Sequence, residues 1–425
     1  MSAYFLIVAV TIMIVLGVPV AGAMALGSAV FIIVSGTPQF VVIHQMVSGI
    51  DSFPLLAIPF FILAGNLMNS AAITDRIFDF ASQLFAWARG GICYVNIAAS
   101  VIFAGMSGAA VADAGGLGAI EIKAMRDRGY SDRLSVGLTA ASSIIGPLIP
   151  PSLPMIIFGF VGNVSIGKLF IAGIVPGLVM AFSLGAMVRW IAHRDNLPKD
   201  GDFSIRKVGS SFNKAILSLL TPIIIVGGIL GGLFTPTEAA IAAAFYALVL
   251  GLVIYRTLNG KDLWNVTKNT AEMSAAILFI VSAASIFAWI ITTERVANDF
   301  AELIFTVTEN KIAILILINV LLLIVGCFLD AIAAISILTP ILMPIAVAIG
   351  VDPTQFGVIM VLNLMIGLLS PPLGIVLYVL SAVSGVSMKD TIRGTLPFLV
   401  PLIATLMIVT FVPAVTLWLP NLLGF

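Results

Sequence analysis

The sequence predicts an all-α polytopic membrane protein built from two inverted-topology repeats, each with a re-entrant helical hairpin and a proline-broken span. Three observations lead there. Hydrophobic residues make up 60% of the 425 and charged residues 9%, whereas a soluble domain carries about 25% charge. Apolar runs long enough to cross roughly 30 Å of hydrocarbon recur from end to end. Finally, a proline-rich apolar stretch is echoed 221 residues further along the chain.

The first run, Tyr4 to Val20, is preceded by no Lys or Arg, and the first basic residue is Arg76. It lacks the basic start of a secretory signal and reads as a span over 3–20. Spans 22–36 and 54–72 follow, then an interfacial or cytoplasmic helix over 74–90. Between the charged flanks ending at Arg89 and starting at Glu121 lie about thirty residues. Both flanks are basic, hence cytoplasmic. One span would leave them on opposite sides, and two full spans need nearly forty residues. A hairpin over 91–120 satisfies both limits, turning at Gly105–Gly108 in "FAGMSGAAVADAGG" (103–116). The next span, 134–160, contains "GPLIPPSLPMI" (146–156), with Pro147, Pro150, Pro151 and Pro154. A proline inside a helix removes a donor and costs roughly 3 kcal/mol or more, so this span is expected to be broken. Span 169–190 closes the half. The connector 189–214 has six Lys/Arg and three Asp and reads as cytoplasmic, with 191–213 as a second interfacial or cytoplasmic helix. The repeats are therefore 1–205 and 206–425.

In the second half, "GLLSPPLGIVL" (367–377) lies 221 residues after "GPLIPPSLPMI". Without a gap, the same offset pairs Gly105 with Gly326, Leu117 with Leu338, Gly129 with Gly350, Lys168 with Lys389 and Pro176 with Pro397. Spans 215–234, 236–256 and 271–293 precede a hairpin over 312–349 with "VGCFLDAIAA" (325–334) at its tip, for which two short full spans are the alternative. A broken span over 356–381 and a final span over 395–419 complete the half. "EIKAMRDRGYSDR" (121–133) is rich in Lys and Arg, while its counterpart "LMPIAVAIGVDPT" (342–354) has none. By the positive-inside rule these loops lie on opposite sides, so the repeats are inverted and both termini are expected in the periplasm. Inverted repeats with discontinuous helices are a mark of secondary transporters.

Broken backbone survives at membrane depth where it is buried in protein or lines a polar cavity. Its freed carbonyls suit a cation, and half-helix N-termini favour an anionic group. Asp113 and Asp330 are the acids nearest the two tips, and an acid within a membrane segment is costly and functional by default. They differ in register: Asp113 matches Ala334, and Asp330 matches Ala109. Ser107, Ser142, Ser143, Ser152, Asn363 and Ser370 add polar groups, although for any single Ser the ordinary role is helix packing.

Other classes fit poorly. Zero net charge suggests no nucleic-acid partner. Cys93 and Cys327 have neither metal spacing nor a disulfide framework, and His44 and His193 lie in polar connectors. "GNVSIGKL" (162–169) approaches a phosphate loop, but Leu169 replaces the magnesium-binding hydroxyl. No nucleotide is expected, leaving an ion gradient as the energy source. "GMSG" (105–108) resembles an intramembrane protease motif without a base in reach. The chain is therefore not expected to be an enzyme, and a passive channel would more naturally repeat one motif about an axis.

The residues 103–159, with "CFLDAIAAISILTPILMPIA", "GLLSPPLGIVLYVLSAVSG" and "GLFTPTEAAIAAAFYALVLG", resemble the large membrane subunit of tripartite ATP-independent periplasmic (TRAP) transporters. The resemblance covers nearly the whole chain. It implies an elevator-type carrier of the bacterial inner membrane that takes up an organic acid, either sialic acid or a C4-dicarboxylate, with sodium as coupling ion and no further cofactor. It also implies two partners: a periplasmic solute-binding protein and a small four-helix membrane subunit, expected as a separate chain. By the same resemblance, Ser143, Gly146, Ile149 and Pro151 serve one sodium site, and Gly326, Asp330, Gly367 and Ser370 the other. Substrate is expected near Ser107, Asp113, Ser152 and Asn363. Hairpins and broken spans are expected to form the transport domain and the remaining spans the scaffold. A stand-alone sodium/anion symporter is the alternative.

Overall fold

A computed structural model describes residues 3–71, 73–85, 87–201 and 204–425. The expected span end at Ala72, the middle of segment 74–90 at Ala86, connector residues 202–203 and the first two residues lie outside it. Among the described residues the chain is helical throughout, with one isolated bridge between Arg89 and Lys199. Among the described residues, seven helices are long and apolar enough to cross a membrane, including Ile166–Arg194, Ile205–Leu230, Gly260–Thr293 and Met388–Phe411.

The hairpins and broken spans form where the apolar runs are interrupted. The first hairpin is Gly91–Ser107, a tip at Gly108 and Ala109, then Ala110–Gly115 and Leu117–Asp127. Its tip lies slightly beyond the expected Gly105–Gly108, and its second arm passes residue 120. The first broken span is Asp132–Ser143 and Leu153–Val161. The second hairpin is Lys311–Gly326 and Ala331–Ala348, and the second broken span is Pro353–Gly367 and Ile375–Ser384. Asp132 and Pro353, which start the broken spans, lie 221 residues apart, as do Ala110 and Ala331, and Asp127 and Ala348. The cis peptides Pro150–Pro151 and Pro371–Pro372 share that offset.

Several boundaries differ from the expectation. The helix Ala3–Val15 stops short of residue 20 because Gly17 adopts φ 91° and Pro19 follows. The closing helix Ile166–Arg194 and the helix Ile205–Pro222 absorb both ends of the connector, so 191–213 is not a separate helix. The span expected from 271 starts at Gly260, where Asn259 and Asp262 form a capping box. The final span, expected over 395–419, is Met388–Phe411 and Pro413–Leu422, divided at Val412 ahead of Pro413. Helices Phe40–Ser48 and Val296–Val307 lie where no helix was expected; their short, mixed sequences do not resemble spans.

Two sets of close helix packings stand out, with Gly260–Thr293 also lying against the second hairpin arm Ala331–Ala348. Ala57–Ser70 lies along Pro236–Val249, and both Ala57–Ser70 and Val20–Ser35 lie against Gly260–Thr293. In the other group, Met388–Phe411 lies along Asp132–Ser143 and also touches Pro353–Gly367 and Ile166–Arg194. The two closing helices, expected in the scaffold, thus pack with the broken spans. Small residues make this possible. A Cβ on Gly137 would lie 2.0 Å from the Gly394 carbonyl oxygen, and one on Gly394 would lie 2.1 Å from that of Arg133. Such backbone approach is the usual basis of helix association in lipid.

Gly394→Ala should therefore lower the detergent melting temperature, at a cost of roughly 1–3 kcal/mol for the forced overpacking. Gly209→Ala, with nothing within 4 Å of the added carbon, should not. Equal melting of the two variants would show that the close approach does not hold these helices.

Candidate functional site

At the first break, the helix beginning at Asp132 ends at Ser143, and every residue from Ile144 to Ser152 is buried. The carbonyls of Gly146, Ile149 and Pro151 accept no hydrogen bond from any described residue. The hairpin tip closes on this segment, with Leu153 donating its N–H to the Gly108 carbonyl at 3.3 Å. Asp113, in the short helix Ala110–Gly115, is 2% exposed. Its Oδ1 accepts a bond from the Ser107 hydroxyl. Its Oδ2 is buried without a partner. A Cβ on Gly146 would meet that oxygen at 2.2 Å, so glycine at 146 leaves the space into which the carboxylate points. The result is a buried carboxylate oxygen without a hydrogen-bond donor, set against the Gly146 backbone.

The second break is built differently. Gly326 and Gly367 touch through their backbones: a Cβ on Gly367 would lie 2.6 Å from both Cα and carbonyl carbon of Gly326. The Gly367 carbonyl accepts the Ser370 N–H at 2.9 Å, whereas those of Gly326 and Ser370 accept none from the described residues. Asp330 caps the helix Ala331–Ala348, its Oδ2 accepting the Ile332 N–H at 3.0 Å. Pro371, Pro372 and Leu373 are exposed, while their counterparts Pro150, Pro151 and Ser152 are buried.

A polar joint holds each hairpin to its broken span. In the first half, the Ser142 hydroxyl donates to Asn96 Oδ1 at 2.7 Å. The Asn96 amide donates to Glu121 at 2.9 Å and to Thr139 Oγ1 at 2.7 Å. In the second half, Asn363 donates to Asn319 Oδ1 at 2.7 Å. Ser142 and Asn363 occupy matched positions, and each meets an asparagine on the first arm of its hairpin. Sequence reasoning missed Asn96 and Asn319. It also placed Glu121 at the start of a cytoplasmic flank, whereas the residue is 1% exposed and faces Asn96. An isolated Asn in an apolar run, at the level of a matched polar residue across the hairpin, was the available signal.

The structure regroups the expected site residues. Ser107 and Asp113 lie at Gly146, within the first set. Ser152 is committed locally: its hydroxyl donates to the Pro147 carbonyl and accepts the Met155 N–H. Ser143 donates to the Ala140 carbonyl within its own helix, and Ser370, just past the helix Pro353–Gly367, donates back to the Ile366 carbonyl. Asn363 is bonded to Asn319 and to the Ile359 carbonyl, with its Oδ1 buried and unpartnered. No hydrogen bond among the described residues joins Asn363 to Ser107, Asp113 or Ser152.

The profile of the family described as "Tripartite ATP-independent periplasmic transporter, DctM component" matches residues 7–415. The chain is 48% identical over 383 residues to the sialic acid TRAP transporter large permease protein SiaM of Vibrio cholerae, covering 90% of each chain. It is 44% identical over 380 residues to the sialic acid TRAP transporter permease protein SiaT of Haemophilus influenzae, which spans 89% of this chain and 62% of that one. In fold, it resembles the YdaH transporter of Alcanivorax borkumensis, with a TM-score of 0.67 and 89% of each chain covered. At 15% identity that likeness concerns the fold alone.

The contact between Gly326 and Gly367 can be tested with the chain's own thiols. Cys327 is half-buried at the second tip and Cys93 is buried. Gly367→Val should push the tip away and raise maleimide labelling of Cys327 several-fold, leaving Cys93 unreacted. Unchanged labelling would mean that the tip does not rest on this glycine.

Proposed function

Since the chain belongs to the DctM-component family of tripartite ATP-independent periplasmic transporters, we propose that it takes up an organic anion of the sialic acid class in symport with sodium. The family assignment makes it a transporter permease of a multi-pass, inner-membrane type. The substrate class is supported by the names of SiaM and SiaT, and a C4-dicarboxylate is the competing class. The tripartite description supports two partners, a periplasmic solute-binding protein that delivers the anion and a small membrane subunit.

The observation that carries the sodium reading is Asp113 Oδ2, buried and unpartnered against Gly146, in a break where the carbonyls of Gly146, Ile149 and Pro151 have no donors. A buried carboxylate oxygen left alone in a membrane segment is expensive, and a small hard cation among oxygens satisfies it together with the carbonyls. In this reading Ser107, Asp113, Gly146, Ile149 and Pro151 hold one ion. Gly326, Asp330 and Ser370, with the backbone at Gly367, hold the other. The substrate anion lies between the tips, where the half-helix N-termini at Ala110, Leu153 and Ala331 offer positive dipole ends.

The two halves are read as inverted repeats. The moving body comprises the hairpins, the broken spans and the closing helices Ile166–Arg194 and Met388–Phe411. The frame comprises Val20–Ser35, Ala57–Ser70, Pro236–Val249 and Gly260–Thr293. Sodium completes both oxygen sets and draws each tip onto its broken span, the anion follows, and the body shifts across the frame as an elevator. Each charge moved down 100 mV yields roughly 2.3 kcal/mol, so two cations carried with a monoanion leave one net charge to drive accumulation.

The test is uptake in proteoliposomes with the small subunit and the cognate binding protein. Labelled sialic acid should enter with an inward sodium gradient and not with potassium. Sodium-independent uptake would overturn the coupling. Uptake of a C4-dicarboxylate but not of sialic acid would overturn the substrate class, and full uptake by this chain alone would favour the stand-alone symporter.

Asp113→Asn and Asp330→Asn should each raise the sodium concentration for half-maximal uptake at least severalfold while leaving membrane insertion intact. Asn is itself a good helix cap, so the change at 330 tests charge rather than folding. Unchanged sodium curves would remove these carboxylates from the ion sites.

A further inference from the structure

Outside the transport site, a cleft of about 900 Å³ opens on the outer face between the first arm of the first hairpin and the closing helix Ile166–Arg194. Its walls are apolar, formed by Ile97 and Val101 on the arm and by Leu178 and Phe182 on the closing helix, with Phe182 77% exposed. At one end the lining changes character. Arg89, Arg189, His193 and Lys199 meet there, all exposed. No ion pair among the described residues engages Arg89, Arg189 or Lys199. The nearby acids are committed elsewhere: Asp195 pairs with Arg194, and Asp200 accepts the Ile92 N–H and the Tyr130 hydroxyl. Trp87 and Trp190, each about half exposed, stand at the same level, where aromatic side chains mark the membrane–water boundary.

We propose that this cleft is a binding site for an anionic phospholipid of the cytoplasmic leaflet. An acyl chain lies along the apolar walls, and the phosphate rests among Arg89, Arg189 and Lys199. Two independent features select this occupant. The groove needs an apolar chain several carbons long, and the cationic end needs a fixed negative charge at the depth of the lipid headgroups. Basic pockets between membrane helices on the cytoplasmic side recognise acidic headgroups in this way, and each cation near the surface contributes about 1 kcal/mol, a factor of roughly five in affinity. A zwitterionic lipid supplies the chain without net charge, and free phosphate supplies charge without the chain. The bound lipid would bridge an arm of the first hairpin and the helix that closes its half, so its site travels with that packing group.

The test uses the full-length chain, purified in detergent, delipidated and titrated with phosphatidylglycerol or phosphatidylcholine, with bound lipid counted by native mass spectrometry. Phosphatidylglycerol should be retained at least fivefold more tightly. Arg189→Gln should remove most of that preference, as should the pair Arg89→Gln and Lys199→Gln. Gly185→Leu should fill the cleft and weaken retention with every cation kept. All variants should match the parent in melting temperature and elution, and a brominated chain should quench the parent's tryptophan fluorescence more than that of Trp87→Phe. Equal retention of both lipids would overturn the proposal. So would full displacement by glycerol phosphate, or loss of the preference when the small membrane subunit binds, which would make the cleft a protein interface.

Discussion

The architecture depends on one type of interaction: an amide side chain on a hairpin arm bonded to a polar residue on the adjacent broken span. Asn96 with Ser142, and Asn319 with Asn363, are buried joints in lipid-embedded protein. Such interhelical bonds are worth roughly 0.6–2 kcal/mol each. Their importance lies more in placement than in size. They fix each tip at the depth of its break, so that Gly108 meets the segment after Pro151 and Gly326 meets Gly367. Without that register, interrupted backbone would face lipid, where each unmatched N–H or carbonyl costs several kcal/mol.

Close packing supplies the second constraint. Glycines at 137, 173 and 394 admit neighbouring backbones where any side chain would collide. This is why Ile166–Arg194 and Met388–Phe411 lie with the broken spans rather than with the outer helices. An apolar helix resembles any other apolar helix in composition, so membership of one group or the other was not legible from hydropathy. It is encoded in the small residues, whose partners are hundreds of positions away.

What could be read from the sequence had a local chemical cause. Proline placed both breaks correctly, and the shortage of residues between Arg89 and Glu121 called for a hairpin. Boundaries failed where capping overrode hydropathy, as at Asn259, or where a turn residue intervened, as at Gly17. Of the site residues, Gly146 and Gly326 fell beside breaks as expected. The grouping of Asp113 with Gly146 did not emerge, because it depends on a carboxylate reaching across from a different helix. Ser152, expected near substrate, caps the helix Leu153–Val161, a role set by the Pro147 carbonyl and the Met155 amide on either side of it.

The unequal exposure of the two breaks bears on time rather than on affinity. Residues 144–152 are buried in the protein, whereas Pro371 to Leu373 lie at its surface. Were cations held at both breaks as proposed, the one at the sealed position could leave only when packed helices part. One at the second break would lie next to the exposed Pro371–Leu373 and have the shorter way out. The two copies of one motif would then differ in residence time even with similar ligands, one acting as a store and the other as a valve.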